Sequence, residues 1–382
     1  MTHQSEQRKK SFLRKVERIM LIIVSVLVAC FLILLGILLA VSPGNPQPFL
    51  AGNGKPLAGS ISEKIHVNIN GVQQGMFIQG RDATKPVLLF LHGGPGMPEY
   101  AVSREYPRML EEDFVVCWWD QRGSGLSYSE RIPSETLTED QLVSDTIEVT
   151  QYLRKRFGQD KIYLMAHSGG SFFGIQAVAR APQLYHAYIA MGQISQQMES
   201  EKLAYQYMLE QFKFAGDDKM VQKLEQYPLP TMESMPPAYR AIRDEAMHKL
   251  GIGTTHTMRS VVTGIFLPVM LSREYTLSEK IDVWRGKWSG YSTSMWNQIL
   301  ATDLTARVRK LDLPVYIMAG NYDYTVSQDL ARDYFSRLQA PLKGFYNFEA
   351  SAHSPLFEEP EKVQRILEED VLKGVNMLAD LK

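Results

Sequence analysis

Cysteine is almost missing from this chain. Cys30 and Cys117 are the only two in 382 residues, and both lie in apolar surroundings. Two such thiols rule out a disulfide framework and a cysteine-based metal centre. An excess of one charge is missing too: Lys and Arg number 41 against 42 Asp and Glu, a formal net charge of −1. That balance speaks against a nucleic-acid partner. No His, Cys or carboxylate cluster has the spacing of metal ligands. No Gly-Lys-Ser/Thr follows a glycine loop, which removes the usual phosphate cradle. Internal repeats and low-complexity tracts are lacking as well. Apolar residues are plentiful at 45%, against 22% charged, so the chain can bury a large core.

One long apolar run stands out. Ile19 to Val41 is 23 residues without a charge or a proline, and a helix crossing the hydrocarbon core needs about 20. No face of the run is polar, unlike a helix packed at the surface of a core. Arg8, Lys9, Lys10, Arg14, Lys15 and Arg18 precede it, whereas the first basic residue after it is Lys55. This asymmetry sets the N-terminus in the cytoplasm and the remainder outside. The rival reading is a cleaved signal peptide, whose apolar core usually spans only about 7–15 residues. Ala40-Val41-Ser42 makes a weak cleavage site, and Pro43 follows it. The expectation is a single-pass protein of the cell membrane: a basic tail over 1–18, an anchor over 19–41, and a Pro-, Gly- and Asn-rich linker over 42–60. Beyond residue 18 the balance is 35 basic to 40 acidic residues. This mild acidity suggests no membrane-surface or polyanion binding beyond the anchor.

The rest reads as alternating strands and helices. IHVNI, then Asn70-Gly71, then VQQGMFI is a hairpin pattern. VLLFL (87–91), VVCWW (115–119), IYLMA (162–166), YIAM (188–191) and VYIMA (315–319) are short continuous apolar runs, suited to strands covered on both faces of a mostly parallel sheet. Helical stretches fall between them: Glu139–Phe157, Ser171–Arg180 and Gln328–Leu338. The fold class is therefore α/β. Residues 195–300 break the rhythm, with few strand-like runs, nine of the 18 methionines, and Trp284, Trp288 and Trp296. They read as a helical cap inserted into a core formed by 61–194 and 301–382. Such a cap is either ordinary helical core or the wall of an adaptable apolar pocket.

The chemistry concentrates at loops that follow strands. After IYLMA comes His167-Ser168-Gly169-Gly170 and then a helix. A serine between strand and helix must take a sharp, strained turn, and small residues two before and two after it (Ala166 and Gly170) let the backbone pass. The hydroxyl then stands at a helix N-terminus, where developing negative charge is favoured. The plain alternative is a helix-capping serine, and Ser171 is a weaker candidate. A serine needs a base to take its proton. His353 alone among eight histidines lies in a late loop between a strand-like run and the last helix. Asp323, in the loop after VYIMA, is placed to orient it, with Glu349 as runner-up. The order Ser168, Asp323, His353 is that of α/β-hydrolases. Backbone N–H donors for an oxyanion would come from Gly169 and from the loop His92-Gly93-Gly94-Pro95-Gly96. Asp120 and Arg122 read as structural ties between loops.

HGGPG at 92–96, DQRGSGLS at 120–127, AHSGGS at 166–171, GNYD at 320–323 and AHSP at 352–355 together resemble the proline iminopeptidase family of α/β-hydrolases. The similarity covers about residues 60–375. It implies an α/β-hydrolase fold with a helical cap, no cofactor, and release of N-terminal residues from short peptides. It assigns Ser168, Asp323 and His353 to a triad, and Gly94 and Gly169 to the oxyanion site. Two departures stand out. The family commonly has GGSWGS at the nucleophile, where this chain has Gly169 in place of the aromatic residue. The family also holds the substrate ammonium with cap glutamates; Glu233, Glu245, Glu274 and Glu279 are the candidates. The alternatives are an esterase or lactonase acting on small apolar esters, and a ligand-binding receptor on a hydrolase scaffold.

Overall fold

Asn70-Gly71 makes the sharp turn of a hairpin. Both residues are left-handed, with φ of 45° and 79°, as a two-residue turn of the hairpin type demands. The turn pairs β1 (Ile61–Ile69) with β2 (Val72–Gly80), Ile69 opposite Val72. The computed structural model describes residues 2–232 and 235–382. The apolar runs form β3 (Val87–Leu91), β4 (Val115–Trp119), β5 (Ile162–His167), β6 (Tyr185–Met191) and β7 (Val315–Gly320), and Lys343–Phe348 adds β8.

The strands make one sheet in the order β1-β2-β4-β3-β5-β6-β7-β8. It is antiparallel as far as β4 and parallel beyond. Every residue of β3, β4, β5 and β7 is buried. Alternate residues serve opposite faces: Leu89 and Leu91 join one apolar cluster, Leu88 and Phe90 the other. The chain passes from β3 to β4 on one side and then to β5 on the other. The order therefore reverses at β3, and the loops leaving β3 and β5 flank a crevice at the carboxyl edge. Open α/β sheets place their ligands at such a point.

The helix Glu139–Phe157 is capped by the Thr138 side chain and closed by Gly158 at φ 64°. Its apolar spacing is irregular because buried polar residues complete the inner face. Asp145 takes the Arg122 guanidinium, and the Thr146 and Thr150 hydroxyls donate to carbonyls one turn back. Among the described residues, six α-helices occupy the stretch from Gln197 to Ala301: Gln197–Ala215, Asp218–Glu225, Pro237–Leu250, Leu267–Leu271, Leu277–Lys287 and Gly290–Ala301. Met208, Met220, Met235 and Met247 are buried in a cluster belonging to this stretch, so these methionines pack a core.

Residues Thr2–Ala40 form a single helix, α1. The basic tail is thus continuous with the apolar run. Phe12–Ala40 is long and apolar enough to cross a membrane, and none of it is buried in the protein. Residues 42–60 contain no helix or strand, yet they lie on the body of the protein. Phe49 is buried beneath the guanidinium groups of Arg81 and Arg108.

Candidate active site

β5 ends at His167 and the helix Gly169–Arg180 begins two residues later, with Ser168 as the hinge. Ser168 has φ 52° and ψ −123°. With Asn70 it is one of two non-glycine residues at positive φ among those described. A residue held this way costs about 1–3 kcal/mol. The surroundings enforce the turn. The Ser168 N–H donates to Met191 O of β6 at 2.9 Å. A Cβ on Gly170 would come within 2.4 Å of Leu91 O, and one on Gly174 within 3.0 Å of the Ala166 Cβ. Small residues are therefore required where the helix presses on the sheet. The Ser168 hydroxyl does not cap its own helix. Ser171 is committed elsewhere: its hydroxyl donates to Ser168 O at 2.6 Å and accepts the Ile194 N–H at 3.0 Å.

Asp323 follows β7 and His353 follows β8. One Asp323 oxygen accepts the N–H groups of Thr325 and Val326, both at 2.9 Å, and the other accepts the His353 Nδ1–H at 2.8 Å. That bond places the proton on Nδ1 and leaves a lone pair on Nε2. Nε2 is buried and has no hydrogen-bond partner, so it is not bonded to Ser168 Oγ. The two residues nevertheless meet the same piece of β6. Ser168 N is bonded to Met191 O, and a Cβ on the next residue, Gly192, would lie 2.8 Å from His353 Cε1. Glu349 and Asp329 are exposed, and Asp312 pairs with Lys310.

The glycine loop after β3 reaches the same place. A Cβ on Gly169 would lie 2.7 Å from Gly94 O, so the two backbones touch. Gly169 opens its helix, and the first N–H groups of a helix have no partner within it. The Gly93 N–H is taken by Glu99 Oε1 at 2.6 Å. His92 ties this loop to the one after β4: its Nδ1–H meets Gly93 O at 2.8 Å and its Nε2 accepts the Gln121 N–H at 3.1 Å. Burial pushes its imidazole down to about 4, in keeping with a neutral ring that donates once and accepts once.

Glu99 and His167 are a buried pair that the motifs did not reveal. His167 Nδ1 meets the Glu99 oxygens at 2.8 and 2.9 Å, and its Nε2 meets His353 O at 2.8 Å. Both ring nitrogens face acceptors, an arrangement that favours the doubly protonated ring. Burial alone would lower the imidazole, but the Glu99 carboxylate outweighs it and holds the ring above its usual value. Burial likewise opposes ionisation of Glu99, and His167 reverses that effect. A continuous chain of bonds thus runs from Gly93 through Glu99 and His167 to the backbone of His353. The one available signal was a histidine and a glutamate each adjoining a candidate loop, at the nucleophile turn and after the glycines.

The cap glutamates are otherwise engaged. Glu245 lies at the surface with Lys223 and Lys249. Glu274 is buried and accepts from Ser272. Glu279 is the third residue of a capping box with Thr276 and pairs with Lys64 at 2.8 Å. None of these three has a bonded partner among Ser168, Asp323 and His353; Glu233 lies outside the described residues. Asp120 and Arg122 are loop ties. Asp120 accepts the Leu126 N–H at 2.8 Å, and Arg122 forms a buried ion pair with Asp145 at 2.6 and 3.0 Å.

Residues 86–360 match the family described as alpha/beta hydrolase fold. The chain is 31% identical over 307 residues to the probable aminopeptidase YbaC of Bacillus subtilis (strain 168), covering 79% of this chain and 93% of that one. It is 26% identical over 318 residues to a proline iminopeptidase of Thermoplasma volcanium, covering 83% and 99%. The crystal structure of proline iminopeptidase from Mycobacterium smegmatis superposes with a TM-score of 0.58 at 15% identity, covering 81% and 98%; that likeness is one of fold. The chain belongs to the α/β-hydrolase-fold family of enzymes.

Proposed function

We propose that this chain is a membrane-anchored serine hydrolase that releases N-terminal residues from short peptides. The reading rests first on His353. Its Nδ1 proton is held by Asp323, its Nε2 is buried without a partner, and it adjoins the strained turn of Ser168. Ser168 Oγ attacks the scissile carbonyl and its proton passes to His353 Nε2. Asp323 stabilises the resulting imidazolium. The Gly94 and Gly169 N–H groups receive the oxyanion. The proton then moves to the leaving amine, and water attacks the acyl-enzyme by the same route in reverse. The peptide substrate follows the aminopeptidase relatives. The stretch from Gln197 to Ala301 acts as a cap, supported by the Ser292 hydroxyl bonded to Pro95 O of the glycine loop at 2.8 Å. The basic tail before α1 supports a cytoplasmic N-terminus, with the catalytic domain on the far side.

A second reading is an esterase. It is favoured by the absence of a site partner for Glu245, Glu274 and Glu279, so that none of these three cap glutamates, all among the described residues, is placed to hold the substrate ammonium. The test uses the full chain in detergent, with a prolyl-arylamide and a short nitrophenyl ester. Ser168→Ala should abolish turnover of both, together with fluorophosphonate labelling. Ester turnover without arylamide turnover refutes the peptidase reading, and labelling that survives Ser168→Ala refutes the nucleophile.

A further inference from the structure

The end of α1 is stapled to the helix Leu277–Lys287. Lys280 Nζ donates to Val41 O at 3.2 Å, to the Ser42 hydroxyl at 2.7 Å and to Met270 O at 2.8 Å. The Gly44 N–H donates to Arg273 O at 3.1 Å, and Pro43 bridges to Thr276. No slack chain therefore separates the anchor from this part of the body. The apolar run Ile19–Val41, at about 1.5 Å per residue, spans roughly the 30 Å of a hydrocarbon core. Val41 then leaves the bilayer at its edge, and the helix bonded to it lies at that level.

The surface beside this staple is apolar and has no cover. Ile281, Trp284 and Trp288 share one face of the helix, at spacings of three and seven. Trp284 stacks between Phe266 and Trp288, with ring centroids 5.1 and 5.3 Å away. Trp288 is 73% exposed, Val262 and Leu271 54% each, and Phe266 38%. A groove of about 540 Å³ runs between Phe266, Ile281, Trp284 and Trp288, with Glu130 and Arg285 also lining it and none of Ser168, Asp323 or His353. Exposed apolar area on this scale marks an interaction surface. Tryptophan is the side chain that settles at the headgroup level of a membrane.

We propose that this face, from Val262 to Leu271 together with Ile281 and Trp288, docks into the interfacial layer of the lipid bilayer that α1 spans. This rests on the reading of α1 as an anchor. The chain beyond residue 18 is mildly acidic, so the contact is apolar and insensitive to salt. Docking fixes the orientation of the domain as well as its tether. A Cβ on Gly286, in the same helix, would lie 2.7 Å from Gly123 O, and one on Gly96 would lie 2.9 Å from Gly286 O. The docked helix thus rests directly on the loops that frame the site.

The test reconstitutes the full chain in phosphatidylcholine vesicles with lipids brominated high on the acyl chain. Tryptophan fluorescence of the wild type should be quenched. Trp288→Phe should lose about half or more of that quenching, and 1 M salt should leave it unchanged. Cys30, exposed on α1, reports the anchor separately, because Cys117 is buried. Protection of Cys30 from an impermeant maleimide, with no quenching traceable to Trp288, overturns docking and leaves the anchor standing. Labelling of Cys30 in intact vesicles overturns the anchor itself. Protected Cys30, unquenched Trp288 and cross-linked dimers through Trp288→Cys would make the face a contact between copies, which also overturns the proposal.

Discussion

Gly192→Ala probes the site without replacing any of the proposed reacting groups. Gly192 has φ 56°, and an added Cβ would lie 2.8 Å from His353 Cε1, 3.1 Å from Nδ1 and 3.4 Å from Asp323 Oδ2. Carbon atoms pack at about 3.5–4.0 Å, so the ring must retreat by roughly 0.7–1.2 Å. Asp323 cannot follow freely, because its other oxygen is fixed by two backbone N–H groups. A displacement of about 1 Å at a reacting group costs on the order of 10² in rate. The left-handed backbone adds about 1–2 kcal/mol of destabilisation. Gly158→Ala is the control: φ is 64°, with nothing within 4 Å of its Cβ. It carries the same backbone strain but no clash. Both variants should melt a few degrees below wild type, and Gly192→Ala alone should lose about a hundredfold in kcat/KM. A Gly192→Ala enzyme within twofold of wild type would refute the claim that His353 acts from this position.

Three further outcomes are expected. Ser171→Ala leaves the Ile194 N–H without its acceptor and should cost about 1–3 kcal/mol of stability while keeping fluorophosphonate labelling; loss of labelling equal to that of Ser168→Ala would contradict the assignment of the nucleophile. Arg122→Met removes the cation paired with the buried Asp145 carboxylate, leaving it the neutral amides of Asn70, Gln74 and Gln141, and should cost about 3–5 kcal/mol in urea unfolding; a loss below about 1 kcal/mol, the worth of a surface pair, would show that the pairing is irrelevant. For His167→Gln the prediction concerns pH. Folding raises the His167 value and lowers that of Glu99, burial notwithstanding, because each meets the other's charge. The pair therefore stabilises fully between about pH 4.5 and 6.5, the ordinary values of the two groups. It fades as pH falls through the lowered Glu99 value and as pH rises through the raised His167 value. The stability gap between wild type and variant should be widest near pH 5.5 and should shrink on both sides; a gap flat from pH 4 to 9 would refute the charged pairing.

The strands were legible because each is apolar on both faces, and the hairpin because Asn70-Gly71 admits few other conformations. The strained turn at Ser168 was legible for a similar reason: few residues other than Ala166 and Gly170 fit where the helix crosses Leu91 O. Partner choice was harder to read. Glu279 sits three residues after Thr276, a capping-box spacing, and Glu245 sits four before Lys249, the spacing of a helical ion pair. Both structural roles were written in the local sequence, and composition alone had left these residues open as ligands. Glu99 shows the reverse difficulty. Its role depends on His167, 68 residues away, and no local pattern links the two.

The helix Leu277–Lys287 joins three parts of the molecule. Lys280 holds the end of α1, Trp288 stands exposed beside it, and Gly286 meets the loops at Gly96 and Gly123 backbone to backbone. Such contact has no side chain to absorb a shift, and close-packed interiors transmit strain rather than dissipate it. Residues 92–96 carry Gly94, and Gly93 is bonded through Glu99 and His167 to the backbone of His353. A displacement of this helix would therefore reach both the glycine loop and the loop of His353. The end of α1, on this geometry, is mechanically linked to the candidate site, because the same short helix bears on Val41 and Ser42 and on the glycine loop beside Ser168.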